Sequence, residues 1–393
     1  MVYDLAIVGG GLAGSALGMA LARHGGHVLI VEREPVFRDR LRGEVTHPWG
    51  VAEAVALGIY QPLIEACGHP ARYWSTPNGP RDLMKTTPAG LGSLNFHHPE
   101  MQQRLLDLAV KAGAELRRPA EVVSVAPGSP PAIVVRSDGS EEQIAARLVI
   151  GADGRYSRVR KWGGFSVSRD MDCRLMAGAL HHGLALSEDI VQSMRNMGLK
   201  QGIVIIPIGR QRFRSYLFFR HDSRLPLSGQ RDGPAFVEGC VATGASPEWF
   251  EHAQSIGPLA TFNAADHWVD QPYRDGIVLI GEAAAAIDPT FGSGISLTLR
   301  DVRTLRDCLI KLNDWKLAAR SYAEAHDRNY ASLHRQHNWM RELYDAVGPA
   351  ADALRARALA KHAEDPSRRP DFIGLGPDAR SDEQARRRFF GLD

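Results

Sequence analysis

The sequence predicts an α/β fold in which a Rossmann-like nucleotide-binding domain is interleaved with a mostly antiparallel β-sheet domain and followed by a helical region. Three observations carry that expectation. Residues 3–32 read as strand, glycine turn, helix and second strand. Two later apolar strands, ending near Gly151 and Gly281, each run into a glycine-bearing turn. Between them, from about 165 to 275, apolar residues alternate with period two, as in "QGIVIIPIGRQRFRSYLFFRHD". At 393 residues, 44% hydrophobic and 23% charged, the chain can build a sizeable core divided over two lobes.

The first unit is "YDLAIVGGGLAGSALGMALARHGGHVLIVERE": a buried strand from Leu5 to Val8, a helix from about Leu12 to His24, and a strand from Val28 to Glu32. Gly9 permits the tight turn, Gly11 lets the backbone approach a pyrophosphate, and Gly14 lets the helix pack closely on the strand. Leu12 and Ala13 open the helix, whose N-terminal amides and dipole suit a phosphate. Glu32 ends the second strand, where a carboxylate accepts hydrogen bonds from ribose hydroxyls, and Arg33 follows it. The acid disfavours a 2′-phosphate and therefore NADP at this site, while leaving NAD and FAD open.

In the second segment, "RLVIGADGRYSRVRKWGGF", a strand from Leu148 to Ile150 ends in Gly151-Ala152-Asp153-Gly154, followed by Arg155, Arg158 and Arg160. The third, "GIVLIGEAAAAIDPTFGSGISLTLRD", sets Gly281, Glu282, Pro289, Gly292 and Gly294 between an apolar strand and a helix resuming at about Ile295. Turns at the carboxyl ends of parallel strands are where a doubly wound sheet holds its ligand.

Composition narrows the function classes. A net charge of +2 gives no reason to invoke nucleic acid. Cys67, Cys173, Cys240 and Cys308 form no CxxC pair, so neither a metal site nor a disulfide framework is expected, and a reducing cytoplasm fits. No apolar run reaches the length of a membrane span, and the first residues run directly into a strand rather than a leader.

In that order, GGGLAG with its downstream acid, ADGRYSRVR and LIGEAAAAIDPTFGSGISLTLRD resemble the three FAD-binding fingerprints of the class A flavoprotein monooxygenases, the para-hydroxybenzoate hydroxylase-like enzymes. The resemblance spans about residues 1–345 and implies an FAD-binding domain of the glutathione-reductase type. It implies that Glu282 faces the ribityl hydroxyls, that Pro289 sits beside the reactive face of the flavin, and that Gly292, Gly294 and Ile295 approach its pyrimidine end. Bare backbone is needed where a flat ring comes close, and helix N-terminal amides stabilise the negative charge of a reduced flavin. Arg42 and Gly43 match an element covering the flavin; His98 and Gln102 stand where an arginine usually opens the helix before the second fingerprint. Asp153 and Gly154 begin the region, running to Arg160, matched to transient contact with NADH or NADPH. Pro289, Gly292 and His47 are the catalytic candidates, with His47 and Trp49 expected on the approach to the ring. Two departures stand out: Glu282 replaces an aspartate, and Ala285 a common histidine.

The implied reaction uses a nicotinamide donor and dioxygen to hydroxylate or epoxidise a small organic substrate, aromatic compounds included, through a flavin C4a-hydroperoxide. A rival is an FAD-dependent reductase or oxidase of the geranylgeranyl reductase-like type, which keeps all three segments and needs no imidazole at position 285. A halogenase lacks support, because no tryptophan here stands in a Trp-x-Trp-x-x-Pro signature. A non-catalytic nucleotide-binding protein remains the reading from another class. Expected domains are residues 1–164 (first part of the FAD-binding domain, with an inserted segment at about 70–100), 165–275 (substrate domain), 276–345 (third fingerprint and helices) and 346–393 (helical tail). Oligomeric state is left open. Tyr322, Tyr330, Trp339 and Tyr344 fall at helical spacing and predict core packing, whereas Phe389 and Phe390 predict docking of the tail on the body or a partner.

Overall fold

Leu5, Ala6 and Ile7 of β1 (Tyr3–Val8) and all of β2 (Val28–Val31) are buried, as parallel strands covered on both faces require. This computed structural model describes residues 2–41, 43–76, 79–172, 174–222 and 226–393. β1 pairs in parallel with β2 on one side and with the strand Ser140–Gly151 on the other, and Ile277–Leu279 extends the parallel order. Val8, Val31, Gly151 and Leu279, close to or at the carboxyl ends, therefore open on one edge, where all three glycine turns emerge.

Helix α1 (Leu12–Ala22) covers one face together with the helices His98–Lys111 and Gly294–Lys311. Ala16, Leu17, Leu105, Leu299 and Val302 fill the space between them. On the opposite face Val8, Leu29, Val149 and Ile277 join a second cluster beneath the antiparallel ladder Glu121–Ala126, Ala132–Ser137 and Ser140–Gly151.

A second eight-stranded sheet forms the other lobe, mostly antiparallel through Arg174–His182, Arg212–Arg220, Gln201–Pro207 and Ile190–Asn196. Tyr73–Thr76 adds in parallel to Ile190–Asn196 and Gly79–Asp82 follows it, so part of the expected insertion belongs to this sheet. One face packs on the helix Gly233–Thr243 through Phe236 and Cys240; the other carries Trp74, Met176, Val204, Ile206 and Tyr216.

The long helix Trp315–Asp345 braces the nucleotide lobe. Tyr322 donates to the Leu279 carbonyl at 2.8 Å, and Tyr330 and Trp339 are buried, as their spacing predicts. The tail docks on the body of this same chain: Phe389 and Phe390 are fully buried with Trp339, Met340, Leu343 and Phe291. Further along, Trp49 donates its indole N–H to the Phe372 carbonyl at 3.0 Å, and Arg81 holds Asp371 with two bonds of 2.8 Å. No helix among the described residues is long and apolar enough to cross a membrane.

Candidate active site

One elongated cavity of about 540 Å3 runs from the first glycine turn, past the second and third, into the second lobe. At its nucleotide end, Gly9 has φ +105°, and a side chain there would bring its Cβ within 2.6 Å of the Ala152 carbonyl oxygen. Gly14 does not line the cavity; it lies where a Cβ would collide with the Gly9 carbonyl and reach 3.0 Å from Ile7 Cγ2. α1 therefore sits tight on β1. Its N-cap, Gly11, supplies no side chain, and Ser15 is the first residue whose amide bonds back, to the Gly11 carbonyl at 2.9 Å. The preceding amides, including those of Leu12 and Ala13, belong to a helix N-terminus that faces the cavity.

Glu32 lines the cavity beside this turn; its Oε2 accepts from Gly10 N and its Oε1 from Glu34 N, both at 2.8 Å. Arg33 also lines the wall. Gln102 brings its side-chain amide beside Gly11, and His98 donates from Nδ1 to the Gly43 carbonyl at 2.9 Å, so both helix-start residues face the same space as Gly43. Arg42 lies outside the described residues.

At the second turn, Asp153 Oδ2 accepts from Arg158 N (2.7 Å) and Val159 N (3.2 Å), which ties Gly154 into a fixed loop on the cavity edge. Arg155 bonds the Asn263 and Ala265 carbonyls across the lobe boundary. Tyr156 is 87% exposed at the mouth.

The third segment forms the far end. Gly281 takes φ +58° and donates to Asp301 Oδ2 at 3.2 Å; it stands behind the wall, with Glu282 on it. Asp301 Oδ1 meets His326 Nδ1 at 2.9 Å, and although burial opposes the charged form, Asp301 holds that imidazole above its ordinary pKa. Pro289 and Gly292 follow on the wall, with Gly292 at φ +68°. The helix Gly294–Lys311 then begins with no side-chain cap, its first back-bonded amide being Leu297 to Ser293 O at 2.9 Å. Two uncapped helix N-termini thus open on one cavity, one at each glycine-rich turn. These features fit FAD: amides for a pyrophosphate at Gly11, an acid for a ribose at Glu32, an acid for a ribityl chain at Glu282, and amides for the ring edge at Gly294 and Ile295.

His47 differs from expectation. It is fully buried, does not line the cavity, and donates from Nε2 to the Phe291 carbonyl at 2.8 Å. Burial lowers its pKa to about 4, so it stands neutral behind the Phe291–Gly292 turn and props it. Trp49 likewise faces the tail.

Sequence reasoning missed two groupings. Behind Pro289, Arg174 bonds Thr290 Oγ1 at 2.7 Å, lies 3.5 Å from Asp288 and pairs with Asp345, while Asp266 Oδ1 accepts from Asp288 N at 2.8 Å. Asp170, Asp266 and His334 cluster closely enough to suggest a cation site, but the Arg341 guanidinium already stands 2.8 Å from Asp170 and 3.4 Å from Asp266. The other is the cavity's second-lobe end, walled by Leu41, Trp74, Met176, Val204, Ile206 and Phe262, with Glu44 and Tyr216 among them.

The family of FAD binding domains matches residues 2–332, and the chain belongs to it. It is therefore an FAD-dependent flavoprotein oxidoreductase of the class A monooxygenase type. A kynurenine 3-monooxygenase of Salinispora tropica is 26% identical over 91% of this chain and 85% of its own length. The 3-demethoxyubiquinol 3-hydroxylase of Escherichia coli is 28% identical, covering 82% of this chain and 81% of the relative. Among solved structures, p-nitrophenol 4-monooxygenase PnpA from Pseudomonas putida superposes with a TM-score of 0.78 over 96% of this chain and 99% of its own, at 15% identity. The flavin-dependent brominase Bmp2 gives 0.76 over 100% and 98%, at 16% identity. These structural likenesses establish the α/β fold, with its helical C-terminal region.

Proposed function

We propose that this chain takes electrons from NADH or NADPH and uses dioxygen to oxygenate a small organic molecule held in the apolar second-lobe end of the cavity. FAD, when bound, supplies the redox and oxygen chemistry. The observation carrying the reading is the continuity of that apolar end with the turn Pro289–Gly292 and the uncapped helix at Gly294. The chain's own work is geometric and electrostatic. Leu12 and Ala13 hold the pyrophosphate; Glu32 and Glu282 take hydroxyls of the ribose and the ribityl chain; Gly294 and Ile295 direct amides at the ring edge. Gly292 turns the backbone at φ +68° on the wall where the ring would lie, Pro289 would stand beside it, and Leu41, Trp74, Met176 and Phe262 would exclude water. Asp153 to Arg160, with exposed Tyr156, present the mouth at which the donor docks transiently.

The geranylgeranyl reductase-like alternative is not favoured, because the curated relatives named above, matched over most of their length, are oxygenating enzymes. A cytoplasmic setting belongs to the same reading. The test is reconstitution with FAD and measurement of NADH and NADPH oxidation with oxygen uptake across a substrate panel. Stimulated oxidation with one oxygen atom in the product supports the reading. Substrate consumption without oxygen uptake overturns it.

A further inference from the structure

The third glycine turn is gripped by residues that do not themselves reach the cavity. Phe291 lines the cavity and yet is only 2% exposed, because other rings cover it. His337, on the helix Trp315–Asp345, stacks on it with 4.3 Å between centroids and 18° between planes. Phe372, in the C-terminal tail, stands edge-on to both, at 5.9 Å and 84° from Phe291 and at 5.8 Å and 88° from His337. Neither His337 nor Phe372 lines the cavity. Resting on FAD binding and on the placement of the ring edge at Gly294, we infer that Phe372 and His337 are positioning residues for the flavin: they hold the turn Phe291–Ser293 so that the amides opening the next helix meet the ring.

The grip reaches the backbone of the turn. His47 bonds the Phe291 carbonyl at 2.8 Å, and Ser293 Oγ lies 3.3 Å from His337 Nε2. Gly294 follows directly and opens its helix with no side-chain cap, so the direction of its first amides is set by the turn before them. Stacked and edge-on ring pairs have preferred angles and therefore fix orientation as well as distance.

Phe372 is itself anchored. Its carbonyl accepts from Trp49 Nε1 at 3.0 Å, and its neighbour Asp371 takes two bonds of 2.8 Å from Arg81, on the strand Gly79–Asp82 of the second sheet. A Cβ on Gly376 would stand 2.3 Å from Trp49 Cε2, so the tail backbone lies against the indole. A chain of contacts thus runs from the second lobe through Asp371 and Phe372 to the turn at the flavin edge.

The consequence is electrostatic. Helix N-terminal amides stabilise an anionic reduced flavin more than the neutral oxidised one. Burial keeps both imidazoles uncharged, with the pKa of His47 lowered to about 4 and that of His337 well below its ordinary value, so the clamp adds no charge of its own. Loosening it acts through amide geometry: the reduced form loses stabilisation and the midpoint potential falls.

The test is the FAD midpoint potential of the full-length, FAD-loaded protein by dye equilibration, beside thermal unfolding. Phe372→Leu keeps an apolar side chain and removes the ring. It should bind reduced FAD at least threefold less tightly relative to oxidised FAD, a potential about 14 mV lower for this two-electron couple. Phe389→Leu is the control: its ring packs on Trp339, His362 and Phe390, and the variant should lose stability with the potential unchanged. If Phe372→Leu does not fold, Asp371→Asn, which keeps the ring and loosens its anchor, decides, with a smaller shift in the same direction expected. The proposal is overturned if the deciding variant leaves the potential unchanged or raises it, or if Phe389→Leu lowers it as far. A wild-type protein that takes up no FAD would instead sink the assignment on which the proposal rests.

Discussion

Replacing Gly14 with alanine would place a methyl group between α1 and β1, where no space exists. The new Cβ would collide with the Gly9 carbonyl oxygen, stand 3.2 Å from the Gly9 carbonyl carbon and 3.0 Å from Ile7 Cγ2. Two of these atoms are backbone of the turn itself, so a rotamer change cannot relieve the contact. The helix must move away from the strand, at a cost of about 1–3 kcal/mol in overpacking. That movement displaces the amides before Ser15 from the phosphates. Hydrogen bonds to charged groups contribute about 1.5–3 kcal/mol each, so losing two weakens FAD binding by at least on the order of a hundredfold. The assay is titration of apoprotein with FAD, followed by flavin fluorescence, alongside thermal unfolding. Gly233→Ala is the control: it opens the helix Gly233–Thr243, nothing lies within 4 Å of its Cβ, and it should leave FAD affinity unchanged while adding about 0.4–1 kcal/mol of stability. An unchanged FAD affinity in Gly14→Ala, with the protein folded, would refute the placement of the pyrophosphate at this helix.

Other perturbations test the remaining parts of the account. His47 is buried neutral with a pKa lowered to about 4, below its unfolded value near 6.5, so its contribution is intact above about 6.5 and is lost as pH falls toward 4. Denaturant melts should lose about 3 kcal/mol from this group across that window, with His181 acting in the same direction, and His47→Gln should flatten the slope by about one proton; an unaltered slope contradicts the assignment. Arg174→Met leaves Asp288 and Asp345 short of a buried partner and should cost about 3–5 kcal/mol in urea unfolding, with weaker FAD retention because Thr290 loses its anchor. Phe389→Ala should cost about 3–5 kcal/mol, since its ring is fully buried against Trp339 and Phe390; a loss below about 1 kcal/mol would show that the tail is not part of the core.

The nucleotide end was legible in the sequence because its demands fall on the backbone, and backbone demands appear as glycines at fixed spacing. Gly9, Gly11 and Glu32 line one cavity with Glu282, Pro289, Gly292 and Gly294, while Gly14 lies off it, between helix and strand. The second-lobe end was hidden because its chemistry is made by tertiary contact. Tyr216 reads as one more aromatic in an alternating strand, and its partner Glu44 is 172 residues away. The network of Arg174, Asp288 and Asp345 draws on three separate elements in the same way. His47 misled for a local reason: a histidine before a proline can open a helix toward solvent or turn inward, and here the Phe291 carbonyl captures it. The insertion near residue 73 gave no sign of joining the second sheet, because a parallel pairing with Ile190–Asn196 leaves no hairpin in the sequence.

The most direct measurement of the central claim is rapid-mixing absorbance of the FAD-loaded, photoreduced protein against oxygenated buffer, with and without candidate small organic substrates. The account expects a transient near-ultraviolet band, distinct from oxidised FAD, that forms before the oxidised spectrum returns and decays faster when a substrate is oxygenated. Direct return to oxidised FAD under every condition, or a protein that takes up no FAD, would contradict it.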